Sequence, residues 1–132
     1  MTTSDTTDLD AEKEPFRFFD NREKYLLFVT TTSEKAEVAS RVGRELEYLR
    51  PAPPALRVFD AGTGNGQVLS NVLRDLHRRM PTVPFVVAGK EISMEDVRLT
   101  LSTLPDRLAE HPETVVVLTN MFYSEAPWLY PN

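Results

Sequence analysis

The sequence contains no cysteine, which excludes disulfide bonds, thiolate metal ligands and a cysteine nucleophile. It also has no run that approaches the roughly 18 apolar residues of a membrane-spanning helix. Residues 1–14 are polar and acidic, without the basic start and apolar centre of a signal peptide. Together these absences predict a cytoplasmic protein without a membrane segment.

Basic residues are too few for a large nucleic-acid surface. The chain has 15 Lys and Arg against 20 Asp and Glu, a net charge of −5, whereas such surfaces usually need a basic face. We therefore expect a small molecule or a protein as substrate, rather than nucleic acid. Apolar residues make up 41% of the 132 residues, which is ordinary for one globular domain.

Glycine is also scarce, yet three of the five glycines stand at alternate positions in one stretch. The residues Leu56 to Asp60 read as a short apolar strand that ends in an acid, and Gly62, Gly64 and Gly66 follow it before a helix. Such a density of glycine indicates a sharp turn and the close approach of another group. The start of the helix offers free N–H groups and a positive dipole end, which suit a polar or anionic cofactor.

The spacing of these glycines disfavours two common phosphate-binding loops. The dinucleotide motif G-x-G-x-x-G/A would require a glycine or alanine where Gln67 stands, which argues against a nucleotide-dependent oxidoreductase. The motif G-x-x-x-x-G-K-[ST] fails because no lysine follows Gly62, Gly64 or Gly66. What remains is D-x-G-x-G-x-G starting at Asp60, with a turn that serves only packing as the alternative.

This stretch resembles the first motif of class I S-adenosylmethionine (SAM)-dependent methyltransferases, and the resemblance extends over residues 56–120. It implies a Rossmann-like fold with SAM as cofactor. The glycine loop would pass beneath the methionine part of SAM, and Asp60 would help to hold its amino group. The chemistry agrees, because SAM carries an ammonium and a sulfonium but no phosphate.

Two further candidates stand at the ends of predicted strands. The strand over residues 84–89 runs on to Glu91, and the strand over residues 114–119 is followed by Asn120. Ligands of parallel sheets sit at the carboxyl ends of the strands. By resemblance, Glu91 accepts hydrogen bonds from the ribose hydroxyls, and Asn120 contacts adenine where that family often has an acid. The predicted cofactor-binding residues are Asp60, Gly62, Gly64, Gly66, Glu91 and Asn120.

Catalytic residues stay unassigned, and no metal site is predicted. The residues Asn120 to Tyr123 have the outline of the N-x-x-Y motif of amino-group methyltransferases. They follow the third predicted strand, however, and lack the prolines of that motif. His77 is predicted to be solvated, and His111 to be structural.

Amphipathic helices are predicted over residues 34–49, 67–80 and 94–110, the last with a break at Pro105. Ser33 and Ser93 are the predicted N-caps. Apolar strands that alternate with such helices predict an α/β protein with a three-layer parallel sheet, in which the third strand is central. The apolar stripes are expected to consist of Val38, Ala39, Val42, Leu46 and Leu49 in the first helix, Val68, Leu69, Val72, Leu73 and Leu76 in the second, and Met94, Val97, Leu101, Leu104 and Leu108 in the third.

The predicted organisation is a disordered leader (1–14), an N-terminal arm and helix (15–54) and a Rossmann-like half domain (55–132). Three strands are fewer than the full methyltransferase fold has, so the sheet is incomplete. Either another chain, such as a second copy, completes it, or the sequence is part of a longer protein. The predicted function is the cofactor-binding portion of a SAM-dependent methyltransferase. The alternative is a non-catalytic module that docks a partner through the aromatic segment Phe122 to Asn132.

Overall fold

The computed structural model describes residues 23, 24, 27 and 33–122. The chain divides into two units, Met1–Thr32 and Ser33–Asn132. In the first unit, Glu23, Lys24 and Leu27 are helical and exposed, and the predicted leader lies outside the described residues. Among the helices of the described part, none has the length and apolar character needed to span a membrane.

The second unit contains one open sheet of three parallel strands in the order β1-β2-β3. The strands are β1 (Leu56–Asp60), β2 (Phe85–Glu91) and β3 (Thr114–Asn120). Parallel neighbours need a crossover, which helices supply here. The result is a mixed α/β fold consistent with an incomplete Rossmann-like arrangement, as predicted. The prediction that β3 is central is wrong for the described sheet, because β2 lies between the other two strands.

The helices are α1 (Glu34–Glu45), which a 3-10 turn (Leu46–Tyr48) extends, α2 (Gln67–Arg79), α3 (Met94–Thr103) and α4 (Pro105–Glu110). The predicted break at Pro105 is confirmed, since proline is tolerated only in the first turn of a helix.

One of the two predicted serine caps is confirmed. The Oγ of Ser93 accepts a hydrogen bond from the backbone N–H of Asp96 at 3.3 Å. Ser33 makes no such side-chain bond, because its own backbone is already helical (φ −74°, ψ −4°). Its carbonyl instead accepts hydrogen bonds from the N–H groups of Ala36 and Glu37.

The hydrophobic core lies between the helices and one face of the sheet. Leu73 of α2 and Val87 of β2 are completely buried at its centre. The apolar stripe predicted for α2 is confirmed, with Val68 only partly buried at its margin. The buried cluster consists of Ala39, Leu46, Leu69, Val72, Leu73, Leu76, Phe85, Val87 and Leu104.

The stripe predicted for α1 is only partly correct. Val38 and Val42 are 42% and 37% exposed, whereas Ala39 and Gly43 are buried. The reason is a close helix crossing: a Cβ at position 43 would lie 2.5 Å from Oδ2 of Asp75 in α2. Small residues therefore form the contact, and α1 packs on α2 rather than directly on the sheet.

The stripe predicted for α3 and α4 is also partly wrong. Val97 and Leu104 are buried as expected, but Met94, Leu101 and Leu108 are exposed. Polar residues occupy the buried positions instead, namely Asp96, Thr100 and Arg107. The buried side of α3 and α4 therefore carries polar side chains, and one of them, Thr100, supports the glycine loop.

The opposite face of the sheet is apolar and exposed. Alternation along the strands leaves Phe59, Val86, Val115 and Val117 exposed by 67%, 41%, 58% and 50%. The register places Phe59, Ala88 and Val117 in one row across the sheet, and Val86 beside Val115 in another. Residues 33–122 therefore supply two layers, the sheet and the helices on one of its faces.

Candidate cofactor site

The three predicted polar residues lie at the same edge of the sheet. Asp60, Glu91 and Asn120 are the last residues of β1, β2 and β3. Glu91 is in register with Asn120, whereas Asp60 is in register with Gly89 and therefore ends two residues earlier. This is the edge at which ligands bind to open parallel sheets.

The glycine loop between β1 and α2 begins on Asp60, whose Oδ1 accepts a hydrogen bond from the N–H of Gly62 at 3.3 Å. Gly64 and Gly66 have φ values of +53° and +82°, in the left-handed region that other residues adopt at a cost. A Cβ on Gly66 would also lie 2.8 Å from the Cα of Thr100. At Gly62 a Cβ would meet nothing within 4 Å, so this position opens onto space that a ligand can occupy.

Glu91 is 9% exposed and ties the glycine loop to the loop after β2. Its Oε2 accepts a hydrogen bond from the N–H of Gly64 at 2.8 Å, and its Oε1 accepts one from the N–H of Ser93 at 2.9 Å. Each carboxylate oxygen has a second lone pair, so the group keeps the capacity to accept bonds from two hydroxyls. Sequence reasoning missed this bridging role, because it joins residues that lie 27 positions apart.

Asp60 is half-buried, and its charge depends on its neighbours. Burial raises the pKa of Asp60, and the negative charge of Glu91 raises it further. The N–H of Gly62 and the positive charge of Lys35 act in the opposite direction and lower that pKa. A cation bound beside Asp60 would favour the ionised carboxylate in the same way as Lys35 does.

The side-chain amide of Asn120 has a fixed orientation. Its Nδ2 donates a hydrogen bond to the carbonyl oxygen of Glu91 at 3.0 Å. The Oδ1 atom is left as an acceptor at the exposed end of β3. The structure thus places an acceptor at this position, which the sequence predicts to face adenine.

Two threonines on α3 hold the glycine loop in place. The Oγ1 of Thr100 donates a hydrogen bond to the carbonyl of Gly64 at 2.9 Å. The hydroxyl of Thr103 has one hydrogen, which it donates mainly to the carbonyl of Leu99 at 2.8 Å, with the carbonyl of Asn65 as a more distant second acceptor at 3.4 Å. Sequence reasoning missed both residues because it assigned this face of α3 to leucines. Their spacing of three residues, which places side chains on one side of a helix, is the signal that could have revealed them.

We call the glycine loop, together with Asp60, Glu91 and Asn120 at the strand ends, the loop edge. Part of this loop edge is open within the described part of the chain. Ala61, Gly62 and Asn120 are all exposed. Cavities do occur elsewhere, for example a volume of about 170 Å³ between the linker residues 51–55 and residues 82–84. Because small-molecule sites are usually concave, a ligand at this edge needs a further wall from outside residues 33–122.

The opposite end of the sheet contains the two histidines, and both are buried. His77 is only 6% exposed, so the prediction that it is solvated is wrong, whereas the burial of His111 agrees with a structural role. The Oγ1 of Thr114 lies 3.3 Å from Nε2 of His77 and 3.2 Å from Nδ1 of His111. The two rings stack with centroids 4.7 Å apart against the ring of Phe85. Within residues 33–122, no group of three His, Asp or Glu side chains is placed to hold a metal ion.

The chain matches no protein-family model, and no curated protein is significantly similar to it.

Proposed function

We propose that this chain binds SAM and is the cofactor-binding portion of a SAM-dependent methyltransferase. The observation that supports this most is the convergence of Asp60, Glu91 and Asn120 around a glycine loop. Two glycines of that loop are required by the backbone, and the third leaves open space. Each of these side chains bonds a backbone group of the edge, and each also keeps acceptor capacity that a ligand can use.

The donors and acceptors at this edge fit the three parts of SAM. Asp60 is a half-buried carboxylate whose ionised form a cation favours, which suits the ammonium of the methionine part. Glu91 offers two oxygens to the adjacent ribose hydroxyls, and Oδ1 of Asn120 offers an acceptor to the adenine amino group. SAM supplies a methyl group on a sulfonium, which is a good leaving group, so the role of these residues is binding and orientation.

The test is a calorimetric titration of the chain with SAM and with S-adenosylhomocysteine, beside a Glu91→Gln variant. The variant keeps the side-chain shape and one oxygen, but it loses the charge that both ribose hydroxyls use and the ability to accept from one of the two N–H groups, of Gly64 or Ser93. We expect its affinity for both ligands to fall about tenfold or more, the range for loss of a hydrogen bond to a charged group. The matched control is Glu113→Gln, an exposed acid just before β3 at the other end of the sheet, which should bind as the wild type does.

Two results would count against the proposal. One is a wild-type chain that is folded by circular dichroism and binds neither ligand. The other is a Glu91→Gln variant that is folded and binds both ligands as tightly as the wild type.

A second candidate function is a non-catalytic interaction module, and the exposed apolar face of the sheet favours it. The predicted docking segment lies outside the described residues from position 123 onward. This candidate predicts that Asp60→Ala and Glu91→Ala leave the capture of a partner unchanged and that SAM does not bind. The same titration therefore separates the two functions.

We also propose that a further polypeptide, either a second copy or another chain, completes the sheet. A cytoplasmic location is proposed on the lack of cysteine, and a small-molecule or protein substrate on the net charge of −5. Sedimentation of the purified chain at several concentrations tests self-association, and a monomer at all of them would exclude the second copy.

A further inference from the structure

Lys35, the second residue of α1, reaches the glycine loop. Its Nζ lies 3.4 Å from the position that a Cβ on Gly64 would take. Its positive charge also acts on the carboxylate of Asp60. The packing of α1 on α2 thus brings a lysine that is distant in sequence to the loop edge.

The two charges make the loop edge dipolar. Asp60 alone would favour any ligand with a positive group near Gly62. With the ammonium of Lys35 close to Gly64, the loop has a negative group at Asp60, where it starts, and a positive group beside Gly64, four residues further along. A ligand group that carries both charges on neighbouring atoms, such as the α-amino-acid end of SAM, is complementary to this pair.

We infer that Lys35 binds the carboxylate of the ligand's amino-acid end while Asp60 binds its ammonium, so that the site selects ligands with a complete α-amino-acid group. This inference rests on the proposed function and names a specificity-determining residue for it. Glu91 and Asn120, which are assigned to the nucleoside, do not contribute to this selection.

A competing explanation gives Lys35 the opposite effect. If Lys35 only neutralises Asp60, the ligand's ammonium has to displace it. Removal of the lysine would then strengthen the binding of every ligand that has an ammonium, whether or not a carboxylate is present. The sign of the effect therefore separates recognition from competition.

The experiment is a cycle of two proteins and two ligands measured by calorimetry. Wild type and Lys35→Ala are each titrated with SAM and with decarboxylated SAM, which keeps the sulfonium and the ammonium but lacks the carboxylate. We expect the wild type to prefer SAM by about tenfold, and Lys35→Ala to lose that preference through weaker SAM binding, as for loss of a charged hydrogen bond. Decarboxylated SAM should bind both proteins within about twofold, the scale of small indirect effects in such cycles.

Two further variants sharpen the result. Lys35→Arg keeps the charge and should retain most of the preference for SAM. Arg41→Ala removes a 72% exposed cation from the same helix and should change neither affinity.

Three results for Lys35→Ala would overturn the inference. Its affinities for the two ligands could fall equally, its affinity for either ligand could rise, or its preference for SAM could stay as in the wild type. It is also overturned, with the proposed function intact, if the wild type binds both ligands equally well. A wild type that is folded and binds neither ligand would remove the proposed function and this inference with it.

Discussion

The two faces of the sheet have similar sequences but different surroundings. Val87 and Val117 stand on neighbouring strands with similar apolar flanks, yet Val87 is completely buried under the helices and Val117 is 50% exposed. The covered face packs on α2, whereas the other face carries Phe59, Val86 and Val115 into solvent.

This difference shows which face of the sheet is covered by the helices of the described residues. Parallel sheets occur almost only with both faces covered, and their strands are therefore apolar on both sides. The strands of this chain have that composition, but residues 33–122 cover one face only. The sequence of the strands is thus adapted to a second layer that the described residues do not contain.

The same contrast applies to the glycine loop and gives the largest expected effect. Gly66 faces the covered side, where a side chain would combine a positive φ with contact to Thr100, while Gly62 faces open space. We expect Gly66→Ala to lower the free energy of unfolding by about 3 kcal/mol, from backbone strain and overpacking together. Gly62→Ala should change it by less than about 0.5 kcal/mol.

Urea denaturation of Gly66→Ala and Gly62→Ala measures the two changes in the free energy of unfolding. Gly62→Ala should also weaken SAM binding, because its methyl group enters the space assigned to the ligand. If Gly66→Ala were as stable as the wild type, the tight packing of the loop against α3 would be wrong.

Substitutions of Val87 and Val117 give the second largest expected effect on the free energy of unfolding. Val87→Ala removes two buried methyl groups and leaves a cavity, so we expect a loss of about 2 kcal/mol. Val117→Ala makes the same change on the exposed face and should cost less than about 0.5 kcal/mol. Equal losses in denaturation of the two variants would mean that the second face is already covered in solution, and dilution would then show whether another copy covers it.

Much of the fold could be predicted from local patterns. The strand that ends at Asp60, the proline break at Pro105 and the stripe of α2 all follow from short-range rules of periodicity and backbone geometry, and the structure confirms them. The positions of Glu91 and Asn120 at the sheet edge follow from the same rules, because a strand's carboxyl end is visible in the sequence.

The errors concern contacts between distant elements. The α1 stripe failed because Gly43 packs against Asp75, and the α3 stripe failed because Thr100 turns inward to the glycine loop. Apolar periodicity gives the side of a helix that is hydrophobic, but it does not give the element on which that side packs. The prediction that β3 is central fails for a similar reason. An apolar strand at the edge of the described sheet has the same composition as a central strand.

The smallest expected effect concerns His77, which is buried at the end of the sheet opposite the glycine loop. Burial lowers the pKa of His77, and the nearby His111 and Arg107 lower it further, while Glu110 opposes them. The unfolded chain then binds the proton more readily than the folded one, so stability is complete above the unfolded pKa of about 6.5 and falls as the pH drops below it. The slope attributable to this one residue is at most about 1.4 kcal/mol for each pH unit.

Urea denaturation between pH 5.5 and 8 tests this, with His77→Gln as the comparison. The chain has only two histidines, and a wild-type slope that the variant reduces would assign the effect to His77. The exposed face has no histidine to respond in this range, so Val117→Ala should keep the wild-type slope. A stability that rose on acidification would mean that His77 is charged in the folded state, and its pairing with Glu110, at 3.8 Å, would then dominate over burial.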